Sequence, residues 1–147
     1  MKQIQATAII HQPVEKVFEF MWDPQTIRLW LPEPNEILPP AAGADQSIFR
    51  SRNKVRGWAG ITLEYIQETK ELIPNRKFDT ELRETHGWFN SQNHWEYKTV
   101  AEGTQVAVRH NVKLHSWLRL VSPIFFPIAR KKVEGDLIRL KNILEKS

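Results

Sequence analysis

The sequence predicts an α+β domain in which a curved antiparallel sheet of about six to seven strands wraps around a long C-terminal helix. Three observations support this fold: an apolar strand and a short amphipathic helix open the chain, hairpin signals fill its middle, and an apolar helical stripe closes it. The chain has 147 residues, of which 41% are hydrophobic and 26% are charged. These values predict a single domain over 1–147 with its own hydrophobic core.

The opening segment predicts a strand followed by two short helices. Apolar and polar residues alternate over Lys2–His11, as they do in a strand with one buried face. Pro13 suits a helix start, where its missing N–H costs nothing. Asp23 is a candidate N-cap for a second helix that ends at Trp30, and the proline-rich stretch Pro32–Ala44 is expected to be irregular. The first helix places its apolar residues at i, i+3, i+4 and i+7: Val14, Val17, Phe18 and Met21.

Strands dominate the middle of the chain. Turn signals separate them, and consecutive hairpins indicate an antiparallel meander. A two-residue loop at His86-Gly87 places Phe78 opposite Trp95. A turn at Glu102-Gly103 places Trp95 opposite His110. Both registers collect the apolar residues on one face, which a slip of one residue would invert. The predicted strands are Gln46–Arg56, Ile61–Thr69, Lys77–Glu84, Phe89–Val100 and Thr104–His115.

The closing segment Ser116–Ser147 predicts one long helix that lies across the concave face of the sheet. An apolar stripe runs along it: Phe125, Ala129, Val133, Leu137, Leu140 and Leu144. Its beginning, Trp117–Ile128, is apolar on nearly all sides, with Pro123 and Pro127 bending or interrupting the helix. The apolar surface of such a segment must be shielded from water by the protein core, a bound ligand or a membrane.

The sheet and the closing helix together predict an enclosed cavity. The expected lining combines the inner face of the sheet with aromatic and apolar side chains from the turn after the second predicted strand and from the closing segment. The candidate cavity residues are Phe78, Thr80, Leu82, Ser91, Asn93, Trp95, Tyr97, Val108, His110, Val112, Trp58, Trp117, Val121, Phe125 and Ala129.

This order of elements resembles the helix-grip fold of the START, birch-pollen-allergen and polyketide cyclase/dehydrase superfamily, often called SRPBCC. Three segments carry the resemblance: the strand and helix entry Ala8–Phe20, the Asp23-Pro24 step before Trp30, and the closing leucine pattern Leu137–Glu145. The chain looks most similar to the polyketide cyclase/dehydrase and coenzyme Q-binding members. The resemblance implies a small hydrophobic or amphipathic ligand, such as a lipid, polyketide, isoprenoid or aromatic ring compound, held in an internal cavity.

His110 is the candidate catalytic residue, because its register points it inward beside Trp95. In a cyclase/dehydrase-type enzyme it would act as acid/base, with Asn93 or Thr80 orienting a carbonyl of the substrate. The alternative is a core histidine hydrogen-bonded to the sheet or to Asn93. No partner carboxylate is directed at His110, so the sequence leaves open whether the chain is an enzyme.

The amino-acid composition argues against several other classes of function. The chain has no cysteine, and its five histidines show no metal-ligand spacing, so we expect no metal and no cofactor. The net charge is +4, but without a recognition motif the basic runs are interpreted as solvated faces and no nucleic-acid partner is expected. The start of the chain lacks the apolar run of a secretory signal, so a cytoplasmic location is expected.

One alternative concerns the surface of the closing segment. The basic run Arg130-Lys131-Lys132 directly follows apolar residues, a combination that can dock on an anionic membrane. Trp117–Ile128 is therefore a candidate for peripheral membrane contact or protein docking. The sequence predicts no oligomeric state.

Overall fold

The computed structural model describes residues 2–23, 25–31, 35–38, 50–56 and 62–146. Within them a curved antiparallel sheet has seven strands in the order β1-β7-β6-β5-β4-β3-β2. The strands are β1 Lys2–Ile10, β2 Asn35–Leu38, β3 Arg50–Arg56, β4 Thr62–Ile73, β5 Lys77–Glu84, β6 Phe89–Val100 and β7 Gly103–Leu114. The helices are α1 Val14–Trp22, α2 Ile27–Trp30, α3 Trp117–Leu120 and α4 Ser122–Glu145. The predicted fold class is confirmed.

One predicted register is confirmed and the other is wrong by two residues. Phe78 pairs with Trp95 as expected, whereas His110 pairs with Asn93 and not with Trp95. The β6–β7 turn lies one residue earlier than predicted, and Gly103 already pairs with the end of β6. Gly103 has φ 142°, and a Cβ there would lie 2.2 Å from the carbonyl oxygen of Ile10. This close approach of β1 requires glycine. An offset of two keeps every side chain on its predicted face.

The edges of the sheet also differ from the prediction. The stretch expected to be irregular contains the short strand β2, which pairs with β3. Strand β4 continues to Ile73 past an irregularity between Thr69 and Glu71, so it is longer than predicted. The first residues of the predicted strand Gln46–Arg56 lie outside the described residues.

Helices α1 and α2 close one end of the concave face. In α1, Val17 and Met21 are fully buried, as the apolar spacing predicts. Helix α2 buries Trp30 completely. We call this end the aromatic core, defined by Trp22, Trp30, Phe78 and Trp95 together with the last buried leucines of α4, Leu137, Leu140 and Leu144.

The closing segment is two helices and not the single helix that was predicted. The break lies at Val121. Pro123 lacks an N–H, and its ring would clash with the carbonyl four residues earlier, so α4 begins anew with Pro123 in its first turn. Pro127 lies inside α4 and removes one helical hydrogen bond. Pro123 therefore coincides with the interruption of the segment, as expected, whereas Pro127 is accommodated inside α4.

Candidate functional site

A cavity of about 220 Å³ lies between the inner face of the sheet and the first half of α4. Its sheet side presents Leu63, Tyr65, Phe89 and Val112. The helical side presents Leu118, Val121, Phe125, Ala129 and Val133. Hydrophobic and aromatic side chains thus make up most of the wall, which is the usual lining of a small-molecule site.

The cavity reaches the surface along one edge of α4. Ile124 and Ile128 both line it, yet they remain 43% and 45% exposed. The two residues are four apart in the helix and therefore lie on the same face. We call them the entrance pair.

The opposite end is closed by a wall of three tryptophans. Trp22, Trp30 and Trp95 meet edge to face, with ring centroids 5.5–5.9 Å apart. The indole N–H of Trp30 donates to the carbonyl of Met21 at 3.1 Å, and that of Trp22 donates to the hydroxyl of Tyr97 at 2.6 Å. Because their polar atoms are satisfied inside the protein, these two indoles present only apolar surface to the cavity.

A row of polar residues crosses the inner face beside this wall. The four residues are register partners on neighbouring strands, and we call them the polar band: Thr69, Thr80, Asn93 and His110. Asn93 and His110 line the cavity. Asn93 accepts a hydrogen bond from the hydroxyl of Ser91 at 2.5 Å. The Thr80 hydroxyl and Nε2 of His110 are buried without a hydrogen-bond partner.

His110 is uncharged at neutral pH. Removal from water lowers the pKa of its imidazole to about 3, and the electrostatic effects of Lys132 and His94 contribute in the same direction. The ring lies edge-on to Trp95, with centroids 6.1 Å apart. A neutral imidazole offers one donor and one acceptor, but it has no acidic proton to give at pH 7 and is a weak base.

A charged pair occupies the wall beyond the polar band. Lys132 donates to Asp136 at 2.8 Å, and Arg139 donates to the same carboxylate at 3.1 Å. Arg139 also donates to the carbonyl of Trp30 at 3.0 Å, which fixes α4 against α2. Because Lys132 and Asp136 both line the cavity, their charges compensate each other there.

The structure brings ten of the predicted cavity residues to this site: Leu82, Ser91, Asn93, Trp95, His110, Val112, Trp117, Val121, Phe125 and Ala129. It places Phe78, Thr80, Tyr97 and Val108 in the buried core away from the lining. The reason is that Trp22 and Trp30 fill that half of the concave face; Phe78, for example, stacks on Trp22 at 4.0 Å. Trp58 lies outside the described residues.

Sequence reasoning missed several lining residues. Trp22 and Trp30 come from the helices after β1, and their entry into the cavity depends on how those helices pack. Lys132 and Asp136 could have been predicted from the sequence. They are an oppositely charged i,i+4 pair directly beside the apolar stripe of α4, and that stripe faces the cavity. Among the described residues no group of three or more His, Cys, Asp or Glu side chains could hold a metal ion.

A curved antiparallel sheet with a long C-terminal helix across its concave face defines the helix-grip class of α+β domains. The chain belongs to the family described as polyketide cyclase/dehydrase and lipid transport, whose model matches residues 1–145. This confirms the family resemblance seen in the sequence. None of the curated proteins is significantly similar to the chain.

Solved structures share the fold at low sequence identity. The protein TTHA0849 from Thermus thermophilus is 19% identical, with a TM-score of 0.78 over 96% of this chain and 95% of that one. One half of the di-domain ARO/CYC protein StfQ from the steffimycin biosynthetic pathway is 11% identical, with a TM-score of 0.77 over 98% of this chain and 50% of that one. The Aha1 dimer from Colwellia psychrerythraea is 21% identical, with a TM-score of 0.64 over 99% and 97%. These identities establish the fold alone.

No helix in the described part of the chain is both long and apolar enough to cross a membrane.

Proposed function

We propose that this protein binds a small, predominantly apolar molecule in the cavity between the sheet and α4. The observation that carries the proposal is the cavity itself, about 220 Å³ in volume and walled mainly by hydrophobic and aromatic side chains. Burying apolar ligand surface against such walls is the main source of affinity in small-molecule sites. The description of the family, which includes lipid transport and polyketide cyclisation, supports the same class of ligand.

The volume of the cavity limits the size of the ligand. An apolar cavity of about 150 Å³ in another protein holds one benzene ring, and sites for drug-sized ligands start near about 300 Å³. A cavity of about 220 Å³ therefore suits roughly two fused rings or a short branched chain. Among the lipid, polyketide, isoprenoid and ring compounds, we favour a compact ring compound, or a longer molecule whose remainder leaves past the entrance pair, Ile124 and Ile128.

The proposal is tested with a substitution on α4 that fills the cavity with a larger side chain. Ala129 lines the cavity, so Ala129→Phe places a ring inside it. Naphthalene binding is measured by calorimetry, with the protein titrated into the dissolved compound. We expect Ala129→Phe to weaken binding by at least about tenfold, because the added ring competes for the same volume. The matched control is Ala101→Phe, the same substitution at an exposed turn residue, which should leave the affinity unchanged.

Two results would overturn the proposal. One is the absence of naphthalene binding together with the absence of any retained small molecule in native mass spectrometry of protein purified from its own host. The other is equal affinity in wild type and Ala129→Phe, which would place the bound compound elsewhere.

A cyclase/dehydrase-type activity in the same cavity is a further function of this class, with His110 as its acid/base. The lowered pKa of His110 counts against that role, because the imidazole carries no proton to donate as an acid at neutral pH and is only a weak base. We therefore place binding before catalysis.

The second candidate function is docking of the cavity entrance on an anionic membrane. Leu120 is 84% exposed and lies close in sequence to the entrance pair. The basic residues Arg119, Arg130 and Lys131 are exposed on the same segment. Exposed apolar side chains flanked by positive charge are typical of surfaces that insert shallowly into anionic lipid.

Vesicle flotation tests this candidate. We expect the protein to float with phosphatidylcholine vesicles that contain phosphatidylglycerol and not with phosphatidylcholine alone. Leu120→Ser should remove the binding. Ile138→Ser is the matched control, because Ile138 is 60% exposed in the second half of α4, away from the entrance. Flotation that both variants share, or that neither lipid supports, would remove docking from consideration.

A further inference from the structure

The polar band lies where an apolar surface would be expected. Of its two neighbouring inward rows, one is entirely apolar and consists of Leu72, Phe78, Trp95 and Val108, whereas the other combines Leu82 and Val112 with Gln67 and Ser91. Thr80 and Asn93 are only 2% and 3% exposed. Buried polar groups lower the stability of a protein unless they are hydrogen-bonded.

The protein satisfies only part of the hydrogen-bonding capacity of this band. Asn93 accepts from Ser91, but its amide N–H groups have no acceptor among the residues that the structure describes. The hydroxyl of Thr80 and Nε2 of His110 are buried without a partner. Unsatisfied groups are rare in folded proteins, and here Asn93 and His110 are register partners that both line the cavity, with Thr80 next to Asn93 in the core. This concentration is typical of a surface that meets a polar group of a ligand.

The charge of the lining selects against ionic ligands. His110 is neutral, and Lys132 is paired with Asp136 at 2.8 Å, so the titratable groups that line the cavity carry no net charge; Arg139, which also pairs with Asp136, does not line it. An ionised ligand would lose its hydration on entering and find no counter-charge that is not already paired.

We infer that Asn93 and His110, the two cavity-lining residues of the polar band, bind an uncharged hydroxyl or ketone oxygen on a compact ring compound, whose apolar part fills the remainder of the cavity. The inference rests on the proposed function and specifies its ligand class. A phenolic hydroxyl fits both available roles: its oxygen accepts from the Asn93 amide, and its hydrogen is donated to the acceptor nitrogen of His110. A purely apolar ring leaves both groups unpaired.

Three bicyclic compounds of nearly equal size test this inference: naphthalene, 2-naphthol and 2-naphthoate. At neutral pH the first two are uncharged and the third is an anion. We expect 2-naphthol to bind wild-type protein about tenfold more tightly than naphthalene, which corresponds to one added hydrogen bond. We expect 2-naphthoate to bind at least about a hundredfold more weakly than 2-naphthol, because its charge is buried without a partner.

Two substitutions test whether the preference for 2-naphthol over naphthalene originates at Asn93. Asn93→Leu keeps the size of the side chain and removes the amide, so the preference for 2-naphthol over naphthalene should disappear while naphthalene still binds. Thr104→Val is the control for general loss of a buried hydroxyl, because Thr104 donates to the carbonyl of Gln12 and does not line the cavity. The Thr104→Val variant should prefer 2-naphthol over naphthalene by the same factor as the wild-type protein.

The outcomes separate the inference from the proposed function. Equal affinity for naphthalene and 2-naphthol in wild type, tight binding of 2-naphthoate, or an unchanged preference in Asn93→Leu would overturn the inference alone. Failure of both uncharged compounds to bind would overturn the inference, and together with no retained small molecule in native mass spectrometry it would overturn the proposed function as well. The wild-type comparison requires no substitution, so it decides the question even if Asn93→Leu does not fold.

Discussion

Helix α4 crosses two regions of the molecule that differ in how completely they are filled. Over its second half it seals the aromatic core, where Leu137, Leu140 and Leu144 are at most 2% exposed. Over residues 122–135 no α4 residue is buried, although the apolar stripe continues there. One helix therefore supplies both the lid of a closed core and one wall of a cavity.

The difference comes from the side chains that face the stripe. Helices α1 and α2 bring Trp22 and Trp30 against the second half, and their rings occupy the space above the sheet. At the other end the stripe carries the smaller residues Ala129 and Val133, and the opposing rings of Tyr65 and Phe89 line the gap without filling it. An amphipathic stripe thus shows which face of a helix is turned inward, while the residues opposite decide whether the interior is solid.

The largest expected effect is the loss of Trp30 from the aromatic core. Trp30 is fully buried between Trp22 and Trp95, so Trp30→Ala should lower the free energy of unfolding by about 3–5 kcal/mol. Urea denaturation measures it. The neighbouring Leu29 is 56% exposed, and Leu29→Ala should change the stability by no more than about 0.5 kcal/mol. A loss below about 1.5 kcal/mol in Trp30→Ala would show that this end is not tightly packed.

The second effect is a pH dependence that originates at the boundary between the two regions. The pKa of His110 is about 3 in the folded protein and near about 6.5 when the chain is unfolded, so the unfolded state binds the proton more readily. Its contribution to stability is present above about pH 6.5 and is lost as the pH falls toward 3. Between about pH 7.5 and pH 5 the loss should be about 2 kcal/mol.

His110→Gln isolates this contribution, because the other histidines are unchanged. Denaturation of wild type and variant at both pH values should show a drop in stability about 2 kcal/mol smaller in the variant. Equal drops in the two proteins would mean that His110 is hydrated in the folded state.

These two regions were not equally predictable from sequence. The spacing of Val17 and Met21 identified the inward face of α1, and the turn at His86-Gly87 predicted the β5–β6 register correctly. The β6–β7 register depended on Gly103, whose backbone conformation reflects its contact with Ile10, far away in sequence. For that reason the pairing of Asn93 with His110 was not foreseen, although the β5–β6 register already placed Thr80 opposite Asn93. The extent of the cavity depends on the packing of Trp22 and Trp30, and the spacing of apolar residues along the sequence does not predict that packing.

The smallest expected effect tests the cavity side. Phe125 is half-buried, lies 6.1 Å from the ring of Phe89 and already borders empty volume. Phe125→Ala should therefore cost about 1–2 kcal/mol, less than a fully buried aromatic residue, and should enlarge the cavity. Urea denaturation gives the loss. A cost equal to that of Trp30→Ala would indicate that both ends of α4 are equally packed.

The most direct measurement of the difference between the two regions is a crystal structure determined under xenon pressure, since xenon enters dry apolar cavities of this size. We predict xenon between Phe89 and Phe125, under the first half of α4, and none among Leu137, Leu140 and Leu144 in the aromatic core. A crystal without xenon under the first half of α4, or with xenon only among these leucines, would contradict this prediction.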